Sequence, residues 1–550
     1  MSENHQPPSG VSGPIGLALS GGGTRAAAFH LGTLAYLDHV GLISQLHILS
    51  TVSGGTFTGA KYVLSLAQGK SFHQYFKEFY TALRDTDFIK EAVSELTDGK
   101  VHVPSKRENP IVSVAQVYDK LLFRNKDNNS ARFGDILDAD IPINDIIFNT
   151  TEFVRGINFR FQKSADSRAK IGNYYMDIPL EVAKKIRLAD IVAASSCIPG
   201  GFEPIIFPDD FAWPENQVPP EIKQLASFKD SVPIMDGGVY DNLGVNALML
   251  AERRRNNDPN TTWLDMIISS DVYQDEFPLH ECIQDIKASR LRLGSIQWII
   301  WGIGAAGAIS AAALGYTGIK QFFLHGFKLF PDFFLYGFPF LLSISVAGAI
   351  WWGHIKFEQL KTNLKKEAPQ LSEAVWDRVG RITLRQMLNI LNRRVKSLMD
   401  LTSSVFITRI RQLVRNDLYK EKRYLKRRIS NLVYALRPDR PFSKKLDLMQ
   451  QVAKPSKRLR RVADVAVNMP TVMWFSESYQ LPCLVAAGQA TICYNLMLHV
   501  VRVFGNDVEA YPDDVKALWD NLVKDWNEMV ENPYTLLHLI LPGEDPPVPK

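Results

Sequence analysis

Two strand–turn–helix patterns stand at the start of the chain. The apolar run Pro14–Leu19 breaks into glycines, and a helical spacing of apolar residues follows over Thr24–Val40. A second apolar run, His47–Val52, ends at a serine and is again followed by a helical pattern. Buried strands that alternate with helices predict an α/β fold with a parallel sheet, whose neighbouring strands end at one shared edge.

Further short apolar runs extend the predicted sheet. They lie at Ile143–Thr150, Ile157–Gln162, Val232–Met235 and Met266–Ser269. Between the opening units and these runs, Thr97–Gly134 is polar and predicts a loop-rich insertion or cap.

A proline- and aromatic-rich segment at Phe207–Pro220 predicts a long loop. Its aromatic residues Phe207, Phe211 and Trp213 are expected to touch a bilayer or to line an acyl channel.

Two stretches without a charged residue follow, at 296–316 and 333–352. Each is long enough to cross a hydrocarbon core of about 30 Å as a helix. Lys and Arg are denser in both outer flanks than in the connector at 317–332, which predicts cytoplasmic flanks and a multi-pass membrane protein with two spans. Two buried helices and a re-entrant arrangement stay open as alternatives. The Gly- and Ala-rich first span also favours close helix packing, within the hairpin or in a homo-oligomer.

The composition is that of a folded protein. Of 550 residues, 46% are hydrophobic and 22% are charged, which excludes a wholly disordered chain. The four cysteines are scattered and form no metal-binding or disulfide pattern, so the sequence predicts neither a metal nor a cofactor. The polar segment 1–13 is predicted to be disordered and has no apolar core typical of a signal peptide, which predicts a catalytic domain in the cytoplasm.

Positive charge collects in the C-terminal part, although the net charge is only +5. Arg409–Arg428 holds nine Lys or Arg against two acidic residues. Such a run forms a solvated helix face or contacts anionic lipid headgroups beside a membrane. Nucleic acid is not an expected partner, because no recognition fold is visible. An apolar helical stretch at 468–500 is a candidate for completing the first domain.

The first two turns carry the candidate chemistry. The run Gly21, Gly22 and Gly23 presents backbone N–H groups at a helix start, which suits an anion. The same glycines also fit a dinucleotide-binding pattern, but that pattern needs a carboxylate at the end of the second strand, where Ser53 stands instead. Ser53 at a strand-to-helix turn, beside such donors, is typical of a nucleophile next to an oxyanion hole.

A serine hydroxyl needs a base, and Asp236 is the first candidate. It follows a short strand and precedes Gly237 and Gly238, so its carboxylate can lie against another backbone turn. His280 also follows in the chain and could complete a Ser–His–Asp triad instead.

These features resemble the patatin-like phospholipases in their order along the chain. The motifs are the glycine run with Thr24 and Arg25, the Ser53 turn, the block at 194–202 and Asp236-Gly237-Gly238. The resemblance covers roughly 14–275 and implies lipid acyl hydrolysis by a Ser–Asp dyad. By motif position, Ser53 would be the nucleophile, Asp236 the base and Gly21–Gly23 the oxyanion hole, with support from Arg25, Gly55, Gly237 and Gly238. One departure is Thr51, where the family's serine turn usually has glycine.

The sequence thus predicts a patatin-like three-layer α/β/α core, a two-helix transmembrane hairpin and a C-terminal helical region. The domains are a catalytic domain at 14–285, the hairpin at 296–352 and a basic helical region at 356–550. The predicted function is a membrane-anchored phospholipase or lysophospholipase acting on phospholipid or other lipid esters. The alternative is a catalytically silent membrane scaffold that binds anionic lipid or a partner.

Overall fold

The computed structural model describes most of the chain outside its middle part. The described residues are 11, 13–98, 105, 107, 109–225, 231–256, 263–273, 383–437 and 447–543, with isolated positions between 302 and 362. The predicted spans therefore lie outside the described residues except for isolated positions, and so does His280. The chain forms two compact units, one made of Met1–Leu279 with Asp400–Lys550 and the other of His280–Met399.

An eight-stranded mixed sheet forms the centre of the first unit, with the order β5-β6-β3-β2-β1-β7-β8 and β4 beside β3. Strands β3, β2, β1, β7 and β8 run parallel to one another, whereas β4 and β6 pair with β3, and β5 with β6, in antiparallel fashion. The strands are β1 (Ile15–Leu19), β2 (Leu46–Val52), β3 (Asp145–Glu152), β4 (Ile157–Lys163), β5 (Ile205–Phe207), β6 (Val232–Asp236), β7 (Met266–Asp271) and β8 (Arg428–Leu432).

Helices cover both faces of this sheet. In β1, Leu17 and Leu19 face one hydrophobic core while Ala18 faces a second core on the opposite side, as the alternation of a strand requires. The helices of the first unit are α1 (Gly23–His39), α2 (Gly54–Ala67), α3 (Phe72–Asp85), α4 (Phe88–Thr97), α5 (Pro110–Leu121), α6 (Gly134–Leu137), α7 (Leu180–Ala183), α8 (Leu188–Ser195), α9 (Pro220–Gln224), α10 (Gly238–Asp241), α11 (Val245–Arg255), α13 (Phe406–Lys420), α14 (Asp447–Val452), α15 (Lys457–Asn468), α16 (Gln480–Phe504), α17 (Asp513–Glu531) and α18 (Thr535–Ile540). Helix α12 (Leu384–Asp400) belongs to the second unit except for its last residue.

The part of the chain after residue 400 contributes directly to this core. Strand β8 extends the sheet beside β7, and the long helix α16 packs along α1. Among the described residues α16 alone is long and apolar enough to cross a membrane, yet nearly all of it is buried inside the protein. Its apolar character is therefore explained by burial in the core.

Two predictions from the sequence are wrong. The polar stretch 97–134 contains the helix α5, which Asn109 caps by accepting the Ile111 N–H and which starts with proline at its first position. The aromatic side chains of the 207–220 segment touch neither solvent nor the cavity described below, because Phe207, Phe211 and Trp213 are buried and pack against one another.

Candidate active site

The register of β3 brings two distant strand ends together. Val52, the last residue of β2, pairs with Asn149, and Asp236, the last residue of β6, pairs with Thr150, the next residue along β3. Because β2 runs parallel to β3 and β6 runs antiparallel, their carboxyl ends face each other. Ser53 follows Val52 directly, so it lies next to Asp236.

Ser53 occupies a strained backbone conformation, with φ 52° and ψ −122°. Its N–H donates to the Ser195 hydroxyl at 2.9 Å, and that hydroxyl donates to the Asn149 carbonyl at 2.7 Å. The Thr56 hydroxyl joins the same group at 2.8 Å from Ser195. Ser195 therefore ties the serine turn to strand β3 and to the first turn of α2. Ser195 belongs to the block at 194–202, but this contact could not be predicted from local patterns, because Ser195 lies 142 positions after Ser53.

Relief of this strain is expected to be measurable. Replacing Ser53 with glycine removes the side chain that disfavours positive φ, whereas alanine keeps it. We expect Ser53→Gly to be more stable than Ser53→Ala by about 1–2 kcal/mol in denaturant unfolding. Equal stabilities of the two variants would contradict the strained turn.

Thr51, the residue that departs from the family's usual glycine, is fully buried. Its hydroxyl lies 3.0 Å from the Thr56 hydroxyl, and its methyl group points at Gly59 on α2. A Cβ atom at position 59 would lie only 2.6 Å from the Thr51 Cγ2 atom. The glycine that this helix–strand contact needs is therefore on the helix instead of on the strand.

Gly59→Ala is consequently expected to destabilise the fold by about 1–2 kcal/mol, although alanine in a helix usually stabilises by up to about 1 kcal/mol. Thr51→Ser removes the methyl group and keeps the hydroxyl. In the Thr51→Ser background, Gly59→Ala should therefore become neutral or stabilising in thermal unfolding. A loss of the same size in both backgrounds would show that Thr51 is not the contact that matters.

Asp236 is buried beside Ser53 at the end of β6. Burial raises the pKa of its carboxyl to about 6, while the hydrogen bonds from the Gly238 N–H and the Ser53 hydroxyl lower it. The Gly238 N–H donates to Asp236 Oδ1 at 2.7 Å. At neutral pH the carboxylate is thus the main form, and it is held in contact with a serine hydroxyl.

The glycine run lies at the N-terminus of α1, beside Ser53. Gly22 and Gly23 have φ 149° and 61°, conformations that favour glycine. Their N–H groups have no acceptor among the described residues, whereas the Gly21 N–H donates to the Asn242 carbonyl at 3.0 Å. Of the three glycines named from the sequence, Gly21 therefore lacks a spare N–H for an oxyanion, and two candidate donors remain.

The four residues that the family resemblance names as supporting the site lie in different contacts around it. Arg25 is buried and donates to the Met469 carbonyl at 2.7 Å. A Cβ at Gly55 would lie 2.4 Å from the Leu19 carbonyl oxygen, and one at Gly237 would lie 2.4 Å from that of Asn149. Both glycines thus permit close backbone contacts, while Gly238 donates to Asp236.

A cavity of about 450 Å³ opens at these residues. Ser53, Asp236 and both free glycine amides lie on its wall, and most of the remaining wall is apolar. The apolar part comes from both halves of the chain and comprises Phe57, Phe88, Tyr118, Ile198, Tyr273, Ile407, Pro470, Val472 and Met473. The shape and lining suit an acyl chain that reaches a buried serine.

The basic segment 409–428 is largely occupied by internal contacts. Arg415 bonds to the buried Asp271 at 2.7 Å, and Arg423 bonds to the buried Glu252 at 3.2 Å. Arg427 pairs with Asp265, and Arg411 lies on the cavity wall. These arginines hold the C-terminal part against the sheet, so they do not form the lipid-facing surface that their charge suggested.

A histidine base or metal ligands near Ser53 would indicate a different chemistry, and the buried histidine of helix α1 is the first to consider. His30 is fully buried between the Ser270 hydroxyl and the Ser20 carbonyl, each at 3.0 Å, and burial lowers its pKa to about 4. The described residues that line the cavity include no histidine. The described part of the chain contains no group of three His, Cys, Asp or Glu side chains that could hold a metal ion.

Part of the chain resembles a known protein family. Residues 17–249 match the family model described as Patatin-like phospholipase. No curated protein matches the chain. Among solved structures, human GIVD cytosolic phospholipase A2 is similar at 13% identity, over 48% of this chain and 43% of that chain, with a TM-score of 0.30. The chain thus spans less than half the length of that protein.

Proposed function

We propose that the protein is a lipid acyl hydrolase in which Ser53 is the nucleophile and Asp236 is the base. The match of residues 17–249 to the Patatin-like phospholipase model supports this proposal. The observation that carries the proposal is the register of β3, which sets the strained Ser53 against a buried carboxylate. A hydroxyl in hydrogen-bond contact with a base is the arrangement that nucleophilic catalysis needs.

The chemistry follows from these positions. Asp236 accepts the hydroxyl proton as Ser53 Oγ attacks the ester carbonyl carbon. The negative charge that develops on the carbonyl oxygen is stabilised by the N–H groups of Gly22 and Gly23 at the positive end of α1. Asp236 then gives the proton to the departing alcohol oxygen, and water attacks the acyl-serine in the same way. A pKa of about 6 suits both proton transfers near neutral pH.

The substrate class follows from the cavity wall and the family. The apolar wall can hold an acyl chain while the ester lies at Ser53. We also propose that the hairpin predicted from the sequence at 296–352 attaches the protein to a membrane. This attachment would keep the site close to its lipid substrate. Cysteine labelling of the connector at 317–332 tests this part, and labelling only from the cytoplasmic side would contradict two spans.

The activity is tested by fatty-acid release from mixed phospholipid vesicles. We expect the wild-type chain to release fatty acid and to react with a fluorophosphonate, and Ser53→Ala to do neither. Ser196→Ala is the matched control, because Ser196 also lines the cavity but its hydroxyl donates to the Val192 carbonyl at 2.8 Å. Absence of release from the wild type, or equal release by Ser53→Ala, would refute the proposal.

A further inference from the structure

The clearest unassigned feature of the site is Arg411, on helix α13 in the C-terminal part. Its side chain is 9% exposed, and the residue lies on the cavity wall and donates from Nη2 to the Gly21 carbonyl at 2.9 Å. The contact joins residues 390 positions apart, so it brings the C-terminal part to the glycine run.

We propose that Arg411 is a positioning residue for the oxyanion hole, holding the Gly21–Gly22 peptide so that the Gly22 N–H faces the reacting carbonyl. The inference rests on the proposed function. In a trans peptide the carbonyl oxygen and the following N–H point in opposite directions. A guanidinium that fixes the Gly21 carbonyl therefore also fixes the Gly22 N–H.

The glycine run needs such a restraint. Successive glycines have the widest backbone freedom of any residues, and a peptide plane between two of them can rotate at little steric cost. The Gly21 N–H is bound to the Asn242 carbonyl at 3.0 Å. The Gly21 carbonyl accepts from the Ser20 hydroxyl at 3.2 Å and from Arg411 at 2.9 Å, and Arg411 is the shorter and the charged of these two donors.

The charge of Arg411 adds a second effect. A cation on the carbonyl oxygen polarises the peptide and makes its N–H a stronger donor. Arg411 is itself held in place, because its Nε atom lies 3.4 Å from Asp271 Oδ1 and its guanidinium lies 5.6 Å from the centre of the Tyr273 ring.

The chain offers a matched control one helical turn away. Arg415 shares both partners, with Nη2 at 2.7 Å from Asp271 Oδ2 and its guanidinium at 5.6 Å from the Tyr273 ring. Arg415 neither bonds to the Gly21 carbonyl nor lines the cavity among the described contacts. A merely structural role predicts similar effects of Arg411→Gln and Arg415→Gln.

The test compares these two variants with the wild type on a soluble chromogenic ester. We expect Arg411→Gln to lower kcat by about 10- to 100-fold while KM changes less than about threefold. The inhibition constant of a trifluoromethyl ketone, which forms a tetrahedral oxyanion on serine, should rise by a similar factor. Arg415→Gln should stay within about threefold of the wild type in all three quantities.

Several results would overturn the inference. Equal losses in the two glutamine variants would assign Arg411 to structure alone, and a rise of KM with unchanged ketone inhibition would assign it to substrate binding. Should Arg411→Gln fail to fold, Arg411→Lys and Arg411→Met replace it in the test. The lysine keeps a charged donor, so Arg411→Lys should retain more affinity for the ketone than Arg411→Met, and equal ketone affinities of these two variants would refute the role.

A wild type without hydrolase activity would refute the proposed function, whereas an active wild type with an unaffected Arg411→Gln refutes this inference only.

Discussion

Asp236→Asn is expected to lose at least about a thousandfold in kcat and, at the same time, to unfold at a higher temperature than the wild type at pH 8. Asparagine cannot accept the Ser53 proton, so the chemical step fails. It still offers an oxygen to the Gly238 N–H, which now donates to the carboxylate at 2.7 Å. The variant thus removes a buried charge without breaking the turn.

The stability gain follows from the pKa of Asp236. Burial raises it from 3.8 to about 6, so the folded chain binds this proton more tightly than the unfolded chain does. Its contribution to stability is therefore most favourable below about pH 4 and is lost progressively up to about pH 6. Above pH 6 the loss is about 3 kcal/mol, from roughly 1.4 kcal/mol per pKa unit.

Thermal unfolding at several pH values checks this prediction. The difference in Tm between Asp236→Asn and the wild type should grow from pH 4 to pH 6 and stay constant above it. Asp271→Asn is the contrasting control, because Asp271 is also buried but pairs with Arg415 at 2.7 Å, so removing its charge leaves a partly buried cation without its partner. It should destabilise the fold, and a destabilised Asp236→Asn at pH 8 would contradict the prediction.

The pKa of Asp236 also sets the acid limb of the wild-type reaction. The base must be ionised, so kcat/KM should fall tenfold per pH unit below about pH 6. An activity that stays constant down to pH 5 would argue that another group takes the Ser53 proton.

Local patterns in the sequence were sufficient for the two opening units. Strands β1 and β2 each end in a strand–turn–helix signal, and the structure confirms that they are parallel neighbours. Such signals depend on a few consecutive residues, so they can be recognised along the chain. The predicted α/β class, with helices on both faces of the sheet, is confirmed. The sheet is mixed instead of wholly parallel, because β4, β5 and β6 pair in antiparallel fashion.

Long-range contacts account for what the sequence could not predict. The meeting of Ser53 with Asp236 depends on how β3 divides its length between β2 and β6, which no local pattern records. Arg411 lies in a basic run that has the same appearance as a solvated helix face, and its partner is 390 positions away. Arg25 belongs to the first helix, but its partner is Met469 in the C-terminal part.

Helix α5 was missed for a different reason, because a usable signal was present. Asn109 followed by Pro110 is a favourable start of a helix, yet the polar composition of the surrounding stretch predicted a loop. Helix α5 packs against the preceding helix α4 and against α8, which lies far along the chain, so part of what holds it in place is not visible in the local sequence.

The contact between α1 and α16 depends on two glycines that face the partner helix's backbone. A Cβ at Gly32 would lie 2.1 Å from the Val485 carbonyl oxygen, and a Cβ at Gly488 would lie 2.2 Å from the Phe29 carbonyl oxygen. Backbone atoms cannot move aside as a flexible side chain can. Any side chain at either position therefore forces the two helices apart along a buried interface.

Gly488→Ala should therefore destabilise the protein by about 3 kcal/mol, the upper end of the usual overpacking cost, although helix propensity alone favours alanine by about 1 kcal/mol. Gly32→Ala should have a similar effect. The double variant should lose less than the sum, because separating the helices once relieves both contacts. Denaturant unfolding of the three variants measures this directly, and a stabilised Gly488→Ala, or fully additive losses, would show that the C-terminal helix does not pack on α1 at these glycines.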